Sequence, residues 1–528
     1  MATEKTQITA QSSKEQLPND TDILKEMVLT LLGQIDDLQG QLYYLKRQLF
    51  GKKSEKLSPD QRLLFENLYN EIEAKIEQQN PPKSETTGKK KKKKNENHQG
   101  RNPLPAHLER ETIHVEPPQE ERFCDLHHKE KRPIGTETTE KLQYRPACFY
   151  VEEIIRHKYA CDACEGNISI GPLPPMAIDK GIAGEGLLAH IITSKYCDHL
   201  PLNRLEGIFK RSGVDINVST MCDWVGKCAD LLEPLVNRMH ELIRLSPKIN
   251  TDDTKIPVKN KNRKGSTYNG YLWVYIDDQF NVVFDFTPNR SRHGPIAFIG
   301  KKYTGYVQAD AYSGYDELFR QLGIIEVGCH AHARRKFEYA MDGDPVRAAR
   351  MLVLWGKLYE IEDRAKKEHY SDAELLTARQ NEARPLLDEI KAALVAYNDH
   401  VLPKSPMAKA IIYTLNQWEA LMRYIDNPIL EIDNNLSERT LRMVVIGRKN
   451  YLFAGSETGA ERAAIIYSLV ASCKLNGHDP FAYFNDVLRK VSTHPADKID
   501  ALLPCNWTPP KSKTEDETVI TEQTVKVA

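Results

Sequence analysis

The chain has 528 residues, with 73 Lys and Arg against 74 Asp and Glu, for a formal charge of −1. That length implies several domains, and the charge balance excludes a uniformly basic chain, so any nucleic-acid contact has to come from local clusters. No run of 18 apolar residues occurs, which excludes a membrane-spanning helix, and ten cysteines are too sparse for a disulfide scaffold and point to a reducing, cytoplasmic compartment.

Residues 1–21 are polar, read as disordered, and carry no apolar stretch of export-signal type. Over residues 22–50 the pattern sharpens. Leu24, Leu31, Leu38 and Leu45 recur every seven residues, and Val28, Ile35, Leu42 and Leu49 fill the other seam position. A two-in-seven apolar stripe predicts a leucine-zipper coiled coil, and with it a homodimer or higher oligomer. The alternative is an amphipathic helix packed on its own chain, whose apolar face is ordinarily wider. Residues 51–100 hold a second helix (Phe65, Tyr69, Ile72, Ile76), then a low-complexity linker with Lys89, Lys90, Lys91, Lys92, Lys93 and Lys94. This run reads either as a solvated spacer or as a flexible arm neutralising DNA phosphates.

Within 101–175, Cys124-x2-His127 and Cys161-x2-Cys164 form two paired half-sites with β-prone residues between them. Cys and His at this spacing suit tetrahedral Zn²⁺ in a zinc ribbon. The adjacent His128 is an alternative to His127, and unrelated surface side chains are the bland reading. Residues 176–245 read as helical: Pro201–Phe209, a turn at Ser212-Gly213-Val214, and a second helix capped by Ser219 and carrying Met221, Trp224 and Val225. That order fits a helix-turn-helix, but also any helical hairpin.

From residue 246 the chain turns β-prone. Strands are predicted at Ile249–Val258, Tyr271–Ile276, Asn281–Phe286, Gly305–Ala309 and Ile324–Gly328, an order typical of a mixed sheet in an α/β layer fold. Asp252 and Asp253 lie in the first strand, and Asp310 follows the fourth. Asp433-Asn434-Asn435-Leu436-Ser437-Glu438-Arg439 opens a later helix. Each acid has a structural alternative: loop residues for Asp252 and Asp253, a turn former for Asp310, and a capping box between Asn435 and Glu438.

These stretches resemble the DDE transposases of bacterial insertion sequences, specifically the IS-sixty-six family. The resemblance rests on Thr251-Asp252-Asp253-Thr254, Gln308–Tyr315, Gly328–Phe337, Asp433–Arg439 and Gly447–Ser456, and it follows the order zipper, zinc ribbon, helical region, catalytic core. It implies an RNase H-like mixed-sheet core over 246–340 and 425–490, an all-helical insertion over 341–424 and a C-terminal tail over 491–528. Asp252, Asp310 and Glu438 would form the catalytic triad, holding Mg²⁺ or Mn²⁺ for DNA cleavage and strand transfer. The family usually has Asp-Glu-Thr where this chain has Asp252-Asp253-Thr254, and two cysteines where it has Cys124 and His127. Neighbouring strand residues face opposite sides, so the role passes to Asp252 and not Asp253.

The expected partners are the DNA of the element's ends and target, with small accessory proteins of the same element. Arg334, Arg335 and Lys336, and then Arg448 and Lys449 between Gly447 and Gly455, are candidate phosphate contacts. Cys329-x2-His332 supplies two metal-type ligands, not four, and reads as structural. Trp418 reads as a core residue.

Overall fold

The run Leu272-Trp273-Val274-Tyr275-Ile276 is buried on both faces, as an interior strand covered on either side requires. The computed structural model describes residues 149–154, 158–160, 168–170, 175–179, 181–261, 263, 265–320 and 323–510. The predicted zipper, the Lys89–Lys94 run and the predicted zinc ligands Cys124, His127, Cys161 and Cys164 lie outside the described residues. Strands β1 (Lys158–Ala160) and β2 (Ile168–Ile170) pair antiparallel and flank the segment containing Cys161 and Cys164.

Three helices precede the main sheet: α1 (Glu185–Tyr196), α2 (Leu202–Arg211) and α3 (Val218–Ile243). The predicted helix pair is therefore present, but its second member begins after Asn217, not at a Ser219 cap. It runs for 26 residues and is buried along its length from Met221 to Ile243. A face that long packs against other elements, so α3 supports the sheet as well as following the turn.

The sheet contains β3 (Lys248–Lys259), β4 (Thr267–Ile276), β5 (Val282–Thr287), β6 (Gly305–Gln308) and β7 (Ile324–Val327), in the order β5-β4-β3-β6-β7. The first three strands form an antiparallel meander; β6 and β7 add in parallel beyond β3. The fold is thus a mixed α/β architecture with a five-stranded sheet. Short helices α4 (His293–Ile299) and α5 (Asp316–Phe319) lie in the connections around β6.

Helices α6 (His330–Ala340), α7 (Pro345–Lys367), α8 (Asp372–Ala378), α9 (Arg384–Asn398), α10 (Pro406–Asn416) and α11 (Trp418–Met422) fill the chain between β7 and the Asp433 motif. They enclose a second apolar core around Phe337, Leu352, Trp355, Leu387, Ile411 and Trp418. A π turn at Arg379–Ala383 carries a buried arginine. Arg379 pairs with Glu362 at 2.8 Å and donates to the carbonyls of Tyr424, Asn427 and Leu430, which ties down the chain leading into the Asp433 motif.

Helices α12 (Asn435–Tyr451) and α13 (Glu457–Leu475) return to the sheet, and α14 (Pro480–Lys490) packs on α1. Ser468 and Ser472, one turn apart on α13, accept 2.8 Å hydrogen bonds from the backbone N–H groups of Phe284 and Val282 on edge strand β5. Gly477, at φ +74°, follows α13 in the left-handed conformation that glycine adopts without a Cβ penalty. Residues 491–507 depart from the expected tail: Leu502, Leu503 and Trp507 are buried, and the Tyr483 hydroxyl donates to the Leu502 carbonyl. Their apolar side chains are too dispersed in sequence to show a periodic face.

A buried amide cluster links β3, β6 and the start of α12. Asn250 Nδ2 donates to Gln308 Oε1 and to Asn434 Oδ1, both at 3.1 Å. Asn434 Nδ2 donates to the Thr251 carbonyl at 2.8 Å, and Ser437 Oγ donates to Asn434 Oδ1 at 2.9 Å. Gln308 Nε2 donates to the Glu431 carbonyl at 2.7 Å. The exception is Asn250 Oδ1, buried with no hydrogen-bond partner. Removing the central amide by Asn434→Ala strands several buried groups, and the expected stability loss is roughly 1–3 kcal/mol. Urea unfolding would measure it; a midpoint equal to the wild type would show that the cluster does not hold these elements together.

Candidate active site

Each amide of the cluster stands a short, fixed distance upstream of a carboxylate. Asn250 precedes Asp252 by two residues on β3, so the two side chains share a face of the strand. Gln308 closes β6, two residues before Asp310. Asn434 precedes Glu438 by one helical turn at the start of α12. The hydrogen bonds among the amides therefore anchor the backbone from which the three acids project.

Their proximity appears in the electrostatics of Asp252. Burial first, then the nearby Asp310 carboxylate, push its carboxyl up from 3.8 to about 8; Asp253 and Glu438 add to the rise. A hydrogen bond from the Asp253 backbone N–H to Asp252 Oδ1, at 2.7 Å, opposes it. Asp310 Oδ1 accepts from the Tyr312 backbone N–H at 3.2 Å. Asp310 also lines a cleft of about 330 Å³ together with Tyr312, His332, Arg335, Lys336, Tyr339 and Tyr413.

Glu438 does not serve its own helix. Arg335 Nη2 donates to its Oε2 at 3.2 Å, and His332 Nε2 stands 3.5 Å from Oε1 without closing a hydrogen bond. The capping-box alternative is thus not realised: α12 has Asn434 at its N-cap with no side-chain cap bond, while Asp433 accepts from the Asn435 backbone at 3.0 Å. Glu438 Oε1 is a buried acceptor with no hydrogen-bond partner. Carboxylate oxygens of this kind, one of them without a hydrogen-bond partner, are the ligand type that suits a hard divalent cation. Among the described residues, no three His, Cys, Asp or Glu side chains come close enough together to share one ion.

Asp253 is set apart, as strand alternation predicts. It forms a paired contact with Arg290, with Nε–Oδ1 2.8 Å and Nη2–Oδ1 2.6 Å. The Arg290 guanidinium lies 3.7 Å from the centre of the Tyr312 ring, and the Tyr312 hydroxyl donates to the Arg290 carbonyl at 2.6 Å. This unit braces the loop after Asp310 against β3. Nothing in the sequence flagged Arg290, an isolated arginine in a loop.

The predicted phosphate contacts separate. Arg334 is 6% exposed and pairs with Glu338 at 2.9 Å, so it is placed in the interior and not on a DNA-facing surface. Consecutive residues on a helix diverge by about 100°, which is why Arg335 instead reaches the cleft. Lys336 lies 4.2 Å over the Tyr413 ring. Arg448 donates to Thr254 Oγ1 at 2.9 Å and to the Lys255 carbonyl, bracing α12 on β3; Lys449 is exposed. Gly447 lies within α12, where a Cβ would overlap the Tyr451 and Tyr467 hydroxyls; the glycine serves helix packing.

The Cys329–His332 pair is structural at its first member. Cys329 is buried, and its Sγ accepts from the Asn434 backbone N–H at 3.2 Å. His330 between them is buried and uncharged, its pKa lowered to about 4 by burial. It is held by the Trp355 indole N–H at Nδ1 (3.1 Å) and by the Leu421 carbonyl at Nε2 (2.9 Å).

Comparison with known proteins gives a consistent result. The family model described as Transposase IS66 family matches residues 180–462, and the IS66 C-terminal element matches 468–505. A model described as transposase C of IS166 homeodomain matches 37–113. The zinc-finger binding domain of transposase IS66 matches 123–165, a span that contains Cys124, His127, Cys161 and Cys164. Among relatives, the uncharacterized protein y4jD of Sinorhizobium fredii is 33% identical over 93% of this chain and 97% of its own length. The uncharacterized protein y4qI of the same organism is 30% identical over 93% of this chain and 98% of its own.

The raised Asp252 pKa fixes the sign of a pH effect. The folded state holds this proton more tightly than the unfolded state, so its contribution to stability is full below 3.8 and is lost as pH rises through about 8. With chelator present, Asp252→Asn is expected to gain stability relative to the wild type as pH rises across that window. Thermal unfolding at a series of pH values checks this, and parallel curves would count against a desolvated, crowded Asp252.

Proposed function

The chain belongs to the Transposase IS66 family, and from that premise we propose that it binds the terminal inverted repeats of an insertion sequence and catalyses metal-dependent DNA cleavage and strand transfer. The observation that carries this reading is the setting of Asp252, a buried carboxyl raised first by desolvation and then by the charges of Asp310, Asp253 and Glu438, of which Asp310 and Glu438 lie far from it in sequence. The strand order β5-β4-β3-β6-β7, with a carboxylate on β3, another after β6 and a third on the returning helix, supports an RNase H-like core with a helical insertion.

Asp252, Asp310 and Glu438 would hold Mg²⁺ or Mn²⁺. When bound, such a cation supplies Lewis-acid polarisation of the phosphodiester and lowers the pKa of the attacking water or 3′-hydroxyl. The chain's own groups position the reactants. Asn250, Gln308 and Asn434 fix the elements that carry the acids. The cleft beside Asp310 presents Arg335 and Lys336 toward a phosphate backbone. Lys89–Lys94 and the exposed Lys449 would add sequence-independent contacts, sensitive to salt. The helical region around α2 and α3 would carry end recognition, the zipper would pair two copies, and accessory proteins of the same element remain expected partners. The four ligands Cys124, His127, Cys161 and Cys164 would bind structural Zn²⁺, for which the zinc-finger match is the support.

Two outcomes test the reading. With Mg²⁺, duplexes bearing the element's ends are expected to be cut and joined to target by the wild type. Asp310→Asn should lower both steps by at least about a thousandfold while end-binding in a gel-shift assay is retained; retained cleavage would sink the triad. Cutting without joining would indicate a nuclease. For zinc, elemental analysis is expected to find the metal in the purified full chain and to find it depleted in Cys161→Ser; equal zinc in both would remove Cys161 from the ligand set.

A further inference from the structure

We infer that Arg335 is a latch on the third carboxylate: it holds Glu438 back from a divalent cation until nucleic acid draws the guanidinium to a phosphate, so that DNA and metal each favour binding of the other. This rests on the three-carboxylate reading proposed above and adds a positioning residue to it.

Four observations carry the inference. Arg335 Nη2 lies 3.2 Å from Glu438 Oε2, and both side chains are partly shielded, at 29% and 23% exposure. Arg335 lines the same cleft as Asp310 and Lys336, so the guanidinium borders the space a phosphodiester would enter. The other oxygen of Glu438 is buried, with His332 Nε2 at 3.5 Å and no hydrogen bond. Among the described residues, no three ligand-type side chains stand close enough for one ion. Glu438 is engaged by a cationic side chain in place of a metal ion.

The exchange follows from the chemistry of guanidinium. Its planar fork binds carboxylate and phosphate with the same geometry, so a phosphodiester in the cleft competes with Glu438 for Arg335. Release returns an anionic ligand to the acids, where a divalent cation would offset the repulsion among them. Because the coupling is thermodynamic, metal must favour DNA by the same factor as DNA favours metal. His332 stands one turn before Arg335 on α6 and flanks the carboxylate on its other side, limiting where Glu438 can move.

The test is titration of the full chain with MnCl2, followed by calorimetry, with and without a short random-sequence duplex. Arg335→Ala and Arg335→Gln are each expected to bind Mn²⁺ about fivefold more tightly than the wild type without DNA. The duplex should tighten Mn²⁺ binding in the wild type and leave both variants nearly unchanged. Adding Glu438→Gln to either variant should cancel the gain. Gln keeps most of the side chain's length without its charge, so agreement of the two variants separates charge from packing. Variants that bind Mn²⁺ no more tightly than the wild type, or a duplex effect as large in them as in the wild type, would overturn the latch. If Glu438→Gln and Asp310→Asn weaken Mn²⁺ binding while Arg335 changes do nothing, the latch alone fails. If those two substitutions also leave Mn²⁺ binding unchanged, the three-carboxylate reading fails with it.

Discussion

Asn250, Gln308 and Asn434 come from the middle of the sheet, from its parallel extension and from a helix reached only after the whole helical block. Their side chains meet in a fully buried cluster, with 3.1 Å hydrogen bonds from Asn250 to each of the others. Apolar packing alone tolerates small slips between elements, whereas buried amides are satisfied in only a few arrangements. The cluster thus sets the registration of β3, β6 and α12 to within the length of a hydrogen bond. Because each amide lies two residues, or one helical turn, before an acid, the cluster fixes the backbone positions from which Asp252, Asp310 and Glu438 project.

Bringing acids together opposes folding, and the molecule carries the opposition openly. Asp252 is desolvated and repelled by its neighbours. Asp253, next along the strand, is neutralised by Arg290, and Glu438 by Arg335. The two arginines differ in setting. Arg290 is bound on several sides, stacked on Tyr312 and held through its carbonyl, which makes it a brace. Arg335 borders the cleft, where a competing anion has access. The same ion-pair chemistry therefore serves rigidity in one place and exchange in another.

The strands were legible because their apolar runs are sharply bounded: the predicted Tyr271–Ile276 falls within β4 (Thr267–Ile276), and the predicted Ile324–Gly328 becomes β7 (Ile324–Val327). The three acids were legible only through the motifs around them, since an aspartate at a strand end has the same local signature whether it turns a loop or faces a cleft. The cluster was not legible: Asn250 lies in an apolar strand and Gln308 and Asn434 inside the quoted motifs, and nothing local shows that their side chains meet; the available signal was an amide two or four residues before each acid. Arg379 escaped for a related reason. A charged residue between helices reads as solvent-facing, and nothing local shows that Glu362 and three carbonyls wait for it in the interior. Arg334 and Arg335 show the limit of a basic dipeptide as a motif, since the helix sends one inward and the other to the cleft.

Both flanks of the sheet are occupied by the chain itself. On β5 the α13 serines take the N–H groups of Val282 and Phe284. At β7, Arg423 donates to the Glu326 carbonyl, and the N–H of Gly328, just past the strand, goes to Ala420. These particular backbone groups are thus withheld from a further strand. A second copy adding to the sheet at either flank would first have to displace these contacts that the chain makes with itself.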